Sequence, residues 1–513
     1  MSYKRSRHRL AKEARAAALA SMSDAEWGAL APHRDVLTRL PIDIQGTVVY
    51  PWDPDYDKDR QESNPAYQWE PLVIVYCEVP GDVRECLAAS RQANIPVAVR
   101  SGGHSTAGYS VNDGLVVDTS RLNRVTVDLP TMTARVGAGT NFGVLNAVLD
   151  EHRVHVPSGA CEDVCVAGFM QGGGYGYTSR MYGMNCDSVV GLTVMLATGD
   201  IVVANATQNS DLLWAMCGGT GGNFGVLLDV TYRVYNLWQV WGWTIQWPIA
   251  VGAEVMAAFQ QGFAKTGDPR VGYMGNIGYD PGGDQVVVVQ GMFAGDRDDG
   301  LAALEPLIAS NGAELLVDHV ASYREMDAYL DTHPYVIPNV PESGTKEIKQ
   351  AGYINRPLSL AEWSTAIDYY RNGPPQTFDT AIFEGYGGAI NRLGTYANAF
   401  IHRDCDLNFF VDAFWVQDAD EAPAVAWLDG YMQVMAPLTN GQCYQNYPRR
   451  GLPDYQWMFW GNALAWLLAV REKYDPGHFF QYPQCVQPYD GDVPPPPGGP
   501  GPDIAAPIVY GLS

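Results

Sequence analysis

The chain reads as an α+β protein in two parts, a compact unit of alternating strands and helices followed by an antiparallel sheet covered by helices. Three observations predict this. First, LVIVYCEV (72–79), DVRECLAASRQAN (82–94) and VAVR (97–100) run buried strand, amphipathic helix, buried strand. GLVVDTS (114–120) then adds a strand after an Asn-Asp-Gly turn, the texture of an α/β unit. Second, from near residue 240 the strands become longer and aromatic, as in WGWTIQW (241–247) and DQVVVVQGMF (284–293). Third, 513 residues of which 47% are hydrophobic suffice for more than one full core.

Taken in order, residues 1–65 read as an N-terminal extension, the first forty an appendage. Lys4, Arg5, Arg7, Arg9, Lys12 and Arg15 against Glu13 make its start strongly basic. Such a helix either binds an acidic partner or docks on the chain's own acidic surface, and the second is favoured. Ser23 with Glu26 three residues on is a capping box for a short helix that stops before Pro32. The first unit spans 66–237, with further strands at TARVGAG (133–139) and a hairpin around Gly199-Asp200 within 191–205. The second spans 238–440, with strands expected at 395–400 and 408–416 as well. A segment at 441–490 follows, and then a Pro/Gly-rich tail at 491–513 that has little to pack with.

Composition excludes several functions. A net charge of −24 argues against nucleic acid or an anionic membrane as partner. Nine scattered cysteines without a CxxC pair exclude a disulfide scaffold and suit a reducing compartment. No apolar run reaches membrane length and no secretory h-region is evident, so a cytoplasmic location is expected. Fourteen Trp and 29 Tyr suit a pocket that grips organic rings or sugars. Glu151-His152-Arg-Val-His155 and His402-Arg-Asp404-Cys-Asp406 lack zinc-type spacing, and no metal is expected.

Three glycine clusters carry the chemistry: Arg100-Ser101-Gly102-Gly103-His104-Ser105, Gly172-Gly173-Gly174-Tyr175-Gly176 and Gly218-Gly219-Thr220-Gly221-Gly222-Asn223-Phe224-Gly225. Consecutive glycines after a buried strand let backbone N–H groups converge on an anion. None is a P-loop, since no Gly-Lys-Ser/Thr follows, and Gly137-Ala-Gly139 is not a dinucleotide fingerprint.

Together these motifs resemble the berberine-bridge-enzyme-like FAD-linked oxidases of the vanillyl-alcohol-oxidase superfamily. VRSGGHS followed by DGLVVDTSRLNRVTVD resembles the family's pyrophosphate loop, and Cys161-Glu-Asp-Val164-Cys165 with the run to Gly168 and Gly172–Gly176 resembles its second signature. GGTGGNFGV, with Gly222, Asn223 and Val226, resembles its next flavin-contacting loop. The resemblance implies a two-part PCMH-type FAD-binding domain at 66–237, a substrate domain at 238–440 and a berberine-bridge-like segment at 441–490 that returns to the flavin domain. It implies bicovalent FAD, 8α-bonded to His104 and 6-S-bonded to Cys161. Arg100, Ser101, Gly102, Gly103, Ser105, Val164, Gly168, Gly172, Gly173, Gly174 and Gly176 complete the implied cofactor contacts. Val164 stands at the family's oxygen gate, where valine goes with oxidases. Cys165 stands where glycine is usual, and Phe169 where plant members often carry His.

For the base, Tyr444-Gln-Asn446-Tyr447 resembles the family's Tyr-x-Asn-Tyr, and Tyr175 a substrate-facing tyrosine. Such a role needs a lowered pKa. Phe400-Ile-His402-Arg403 resembles the family's Phe-x-His-Arg strand, and three roles are open to the His402-Arg403 pair: binding a carboxylate, depressing a neighbouring tyrosine's pKa, or a cross-strand ion pair. Tyr386, Asn408 and Trp415 are expected on the same wall. The implied activity is oxidation of an alcohol of a carbohydrate or glycosylated natural product, by hydride transfer to flavin N5 and reoxidation by O2 to H2O2. The alternatives are oxidative cyclisation or desaturation, and a flavin-binding module without catalysis.

Overall fold

Strand Val97–Arg100 and its parallel neighbour Leu115–Asp118 carry consecutive apolar residues and are largely buried, as parallel strands covered on both faces require. Our computed structural model describes residues 2–332 and 344–489, without the side chains of 2–10 and 332. The tail at 491–513 and the side chains of Lys4, Arg5, Arg7 and Arg9 therefore lie outside what is described. The first sheet runs Thr47–Val49, Val73–Tyr76, Leu115–Asp118, Val97–Arg100. A second, five-stranded sheet runs Val125–Asp128, Thr133–Gly137, Val226–Arg233, Val189–Met195, Ile201–Asn205 and is antiparallel throughout. The hairpin around Gly199, whose φ is +91°, lies at one of its edges.

Residue 66 is not where this unit starts. Thr47–Val49 pairs antiparallel with Val73–Tyr76, and Trp27, Leu37, Leu40 and Ile44 share one buried cluster with Val73 and Val75. The reading of residues 1–40 as an appendage is corrected for a physical reason. The parallel strands need apolar cover on both faces, and residues 27–44 supply part of it. Ser23 and Glu26 form the capping box. The helix Ser2–Ser21 is tied to the chain's own acidic surface by Arg15, 2.5 Å from Asp53.

The third sheet has seven antiparallel strands in the order Glu314–Ser322, Gln239–Pro248, Gln285–Phe293, Val271–Tyr279, Thr380–Gly385, Leu407–Trp415, Lys346–Ile354. Helices Gly252–Phe263, Leu360–Arg371 and Glu421–Met435 contribute Phe259, Trp363, Ile367, Leu428 and Tyr431 to a core with Trp243, Ile277, Phe383 and Val411 of this sheet. Ile382, Phe410, Ala351 and Tyr353 instead join the core of the five-stranded sheet. Successive residues of a strand point to opposite faces, so both faces of this sheet are buried, one by helices and one by the first unit.

Residues 395–400 and the Phe400–Arg403 segment are not strands. Ala399 N and Phe400 N donate to Trp214 O and Cys217 O, and Asn398 Oδ1 accepts from both Phe400 N and Arg403 Nη2. Polar side chains thus replace a ladder here. Arg403 is buried and makes a two-pronged pair with Asp187, at 2.7 and 2.6 Å. Replacing Asp187 by Ala strands that guanidinium, and the expected loss is about 3–5 kcal/mol of unfolding free energy by urea titration. A loss below about 1 kcal/mol would show the pair to be dispensable.

Candidate active site

A cavity of about 610 Å³ opens between the two units, within the range of small-molecule and cofactor sites. Its floor is the loop after strand Val97–Arg100. Gly103 takes a left-handed φ of +72°, which lets the chain turn at once after the strand. A Cβ on Gly102 would lie 3.0 Å from Cys165 N, so the loop around Cys161 presses directly on this turn. Ser101, Gly102, Gly103, His104 and Ser105 line the void from one side, and Cys161, Val164 and Gly168 from another. Gly222 closes one end beside Tyr482, and Tyr444 and Tyr447 line the wall from the C-terminal segment.

Seven of the expected cofactor contacts do not line it. Arg100 stands opposite Asp118 in the parallel ladder and donates to that carboxylate at 2.5 Å and to Asp59 O at 2.6 Å, so its guanidinium is used up within the fold. Gly172, Gly173, Gly174 and Gly176 are glycines because protein approaches them. Added Cβ atoms there would lie 1.9 Å from Asn446 Oδ1, 2.6 Å from the Phe400 ring, 2.4 Å from the Phe169 ring and 1.8 Å from Ser158 O. Asn223 is fully buried, with Nδ2 donating to Gly219 O and Oδ1 accepting from Val486 N. Val226 is a core residue.

All nine cysteines are free, and Cys161 alone among them is exposed. It lies deep in the molecule but faces the void. Burial raises its thiol to about 12, with Asp331 and Asp163 adding and Lys349 opposing. His104 Nε2 lies 3.1 Å from Asp163 Oδ2.

The three tyrosines separate. Tyr175 borders the void, but its hydroxyl donates to Tyr273 O (2.9 Å) and Gly385 O (3.0 Å), and its ring stacks on Tyr386. The proton is held between two carbonyls and burial raises the pKa further, the opposite of the lowering that a base role needs. The Tyr444 hydroxyl accepts from Gly174 N at 2.7 Å and Asn446 Nδ2 at 3.0 Å, bracing the glycine run. Tyr447 donates to Glu384 Oε1 at 2.5 Å. No expected lowering of a tyrosine pKa is found, since burial, chiefly, raises all three.

Glu384, Lys349 and Glu347 were not expected, and all line the cavity. Burial raises the Glu384 carboxyl to about 7, opposed by hydrogen bonds from Asn408 and Tyr447 and by Lys349. Burial works against the Lys349 ammonium as well, but Asp412 (3.3 Å) and Glu347 (3.0 Å) outweigh it and its pKa is raised. Its Nζ lies 4.7 Å from the Tyr447 ring centre, within cation–π range. The one signal in the sequence was a lone acid in the otherwise apolar strand TAIFEG. His402 does not reach a carboxylate or a tyrosine hydroxyl. It is buried between Gln442 and Gln445, and burial lowers its pKa to about 3.

The comparisons agree with this geometry. The family models "FAD binding domain" and "Berberine and berberine like" match residues 71–205 and 443–487. An uncharacterised FAD-linked oxidoreductase of Bacillus subtilis, YgaK, is 26% identical over 452 residues, 87% of this chain and 97% of its own. A carbohydrate oxidase of Microdochium nivale is 28% identical over 483 residues, 88% of this chain and 93% of its own. The solved structure of a berberine-bridge-enzyme-like protein from Physcomitrella patens superposes with a TM-score of 0.81 at 26% identity, covering 88% of this chain and 99% of that one. The void fits FAD: it is of cofactor size, floored by a glycine turn that presses on the next loop, and has an imidazole and an accessible thiol on its walls. No described helix is long and apolar enough to cross a membrane. With two matching domain models and relatives of the same fold along most of its length, the chain carries an FAD-binding domain and a berberine-like segment and is similar to the berberine-bridge-enzyme-like FAD-linked oxidoreductases.

Proposed function

We propose that the chain is a bicovalent FAD oxidase acting on an alcohol group of a carbohydrate or glycosylated natural product, with O2 as electron acceptor and H2O2 as product. The observation that carries this reading is the 2.5 Å contact from the Tyr447 hydroxyl to Glu384 Oε1 on the cavity wall. The carbohydrate assignment is supported by the named carbohydrate oxidase among the relatives. His104 and Cys161 are the residues that would hold the cofactor. When bound, the flavin supplies the hydride acceptor and the route of electrons to O2.

The chain's own part is the proton. A substrate hydroxyl beside Tyr447 gives its proton to the phenol oxygen as the phenolic proton passes to Glu384. This two-residue transfer replaces a free tyrosinate, which the buried site disfavours. Glu384 suits the task because a base works best with a pKa near the working pH. Asn408 Nδ2 holds its second oxygen at 2.9 Å, and the Lys349 ammonium favours the ionised carboxylate that accepts the proton. Exchanging Glu384 for Gln removes the acceptor. The expected result, by oxygen uptake over a panel of oligosaccharides and simple alcohols, is a fall in kcat/KM of about 10²- to 10⁴-fold, with Tyr447→Phe falling comparably. Silence of the wild type across the whole panel would sink the alcohol-oxidase reading and move the weight to oxidative cyclisation or desaturation.

Glu384 also favours a second reading, oxidative cyclisation or desaturation, with the carboxylate itself as base. In that case Glu384→Gln loses activity while Tyr447→Phe keeps most of it.

Val164 stands on the void, and its role as oxygen gate is part of the proposal. Val164→Leu is expected to slow reoxidation of the reduced enzyme by O2 in stopped flow at least about tenfold, a barrier change of about 1.4 kcal/mol. Flavin reduction should change little, and equal slowing of both half-reactions would remove the gate.

A further inference from the structure

His104 has one ring nitrogen engaged and one without a partner among the described residues. Nε2 meets Asp163 Oδ2 at 3.1 Å, while the ring borders the void. Asp163 follows Cys161 by two residues, so the carboxylate comes from the same loop that carries this thiol. The hydrogen bond from the imidazole holds the Asp163 carboxyl below the usual range, against the opposing effect of burial. The Asp163 side chain is 74% exposed and that of His104 29%. A contact so exposed adds little to stability. Its effect is on the ring. A carboxylate on one imidazole nitrogen fixes the proton there and leaves the lone pair on the other.

We propose that Asp163 is a positioning residue for covalent attachment of the flavin at His104. It orients the ring and holds the proton on Nε2, so that Nδ1 presents its lone pair to the cofactor's 8α carbon. This rests on the bicovalent reading above. Attachment forms one bond, Nδ1 to the 8α carbon, and breaks one 8α C–H bond and the Nε2–H bond. The Nε2 proton passes to Asp163 and on to solvent. The second proton also leaves, and the electron pair ends on O2, which becomes H2O2. Asp163 thus acts on the nucleophile as the third member of a nucleophile–base constellation acts on its base, through orientation and proton acceptance.

The test is peptide mass spectrometry of the purified full-length protein, with flavin occupancy measured separately at His104 and Cys161. Expected is a drop of at least about fivefold at His104 in Asp163→Ala, a smaller drop in Asp163→Asn, which keeps a hydrogen-bond acceptor without its charge, and recovery in Asp163→Glu. Occupancy at Cys161 should be unchanged in all three. Wild-type occupancy at His104 in Asp163→Ala would overturn the inference alone. Equal loss at both sites would also overturn it, by showing a general defect in flavin binding. A wild-type protein with no flavin on His104 would overturn the bicovalent reading and this inference with it.

Discussion

The structure depends on burying both faces of the seven-stranded sheet. Strand Thr380–Gly385 is buried at every position. Ala381 and Phe383 pack into the helix-covered core, while Ile382 packs into the core of the five-stranded sheet. Glu384, two residues beyond Ile382, therefore points toward the flavin unit by the pleat alone. A carboxyl there is costly to bury unless it is hydrogen-bonded. Asn408 from the neighbouring strand and Tyr447 from the C-terminal segment meet that need. The same geometry places Lys349 at the edge of the sheet beside Tyr447, so the packing that joins the two units also assembles the proposed proton acceptor.

The C-terminal segment fastens this wall to the cofactor loops. Gln445 Nε2 and Trp460 Nε1 both donate to Gly218 O, and the Tyr482 hydroxyl meets Thr220 at 2.7 Å. Asn446 spans Phe169 O and the Tyr444 hydroxyl. All of these contacts except Asn446–Tyr444 tie residues more than 200 positions apart. The glycine run at 172–176 is dense because Asn446, Phe400 and Phe169 crowd it. Its role is to admit that closure, while the turn at Gly102–Gly103 and the stretch Cys161–Val164 form the cavity wall.

What was legible in the sequence follows from range. Strands 97–100, 114–120 and 241–247, and the hairpin at 191–205, announce themselves by local pattern, and His104 and Cys161 by short motifs within single loops. Arg100 is implied as a cofactor contact by its motif, while its guanidinium is held by a ladder partner 18 residues on, Asp118, which no short motif announces. Glu384 and Lys349 were missed because their function comes from meeting Tyr447, about 60 and 100 residues away. The cover given by residues 27–44 was missed for the same reason, since a short helical stretch does not reveal which sheet it protects.

The proton route from substrate through Tyr447 to Glu384 is tested most directly by the rate of flavin reduction under anaerobic conditions, followed across pH with a reducing alcohol substrate. Glu384 accepts a proton only when ionised, and its carboxyl is raised to about 7. The rate is expected to rise about tenfold per pH unit on the acid side and to level off above about 7. A rate that is flat through this range in the wild type would contradict Glu384 as the acceptor.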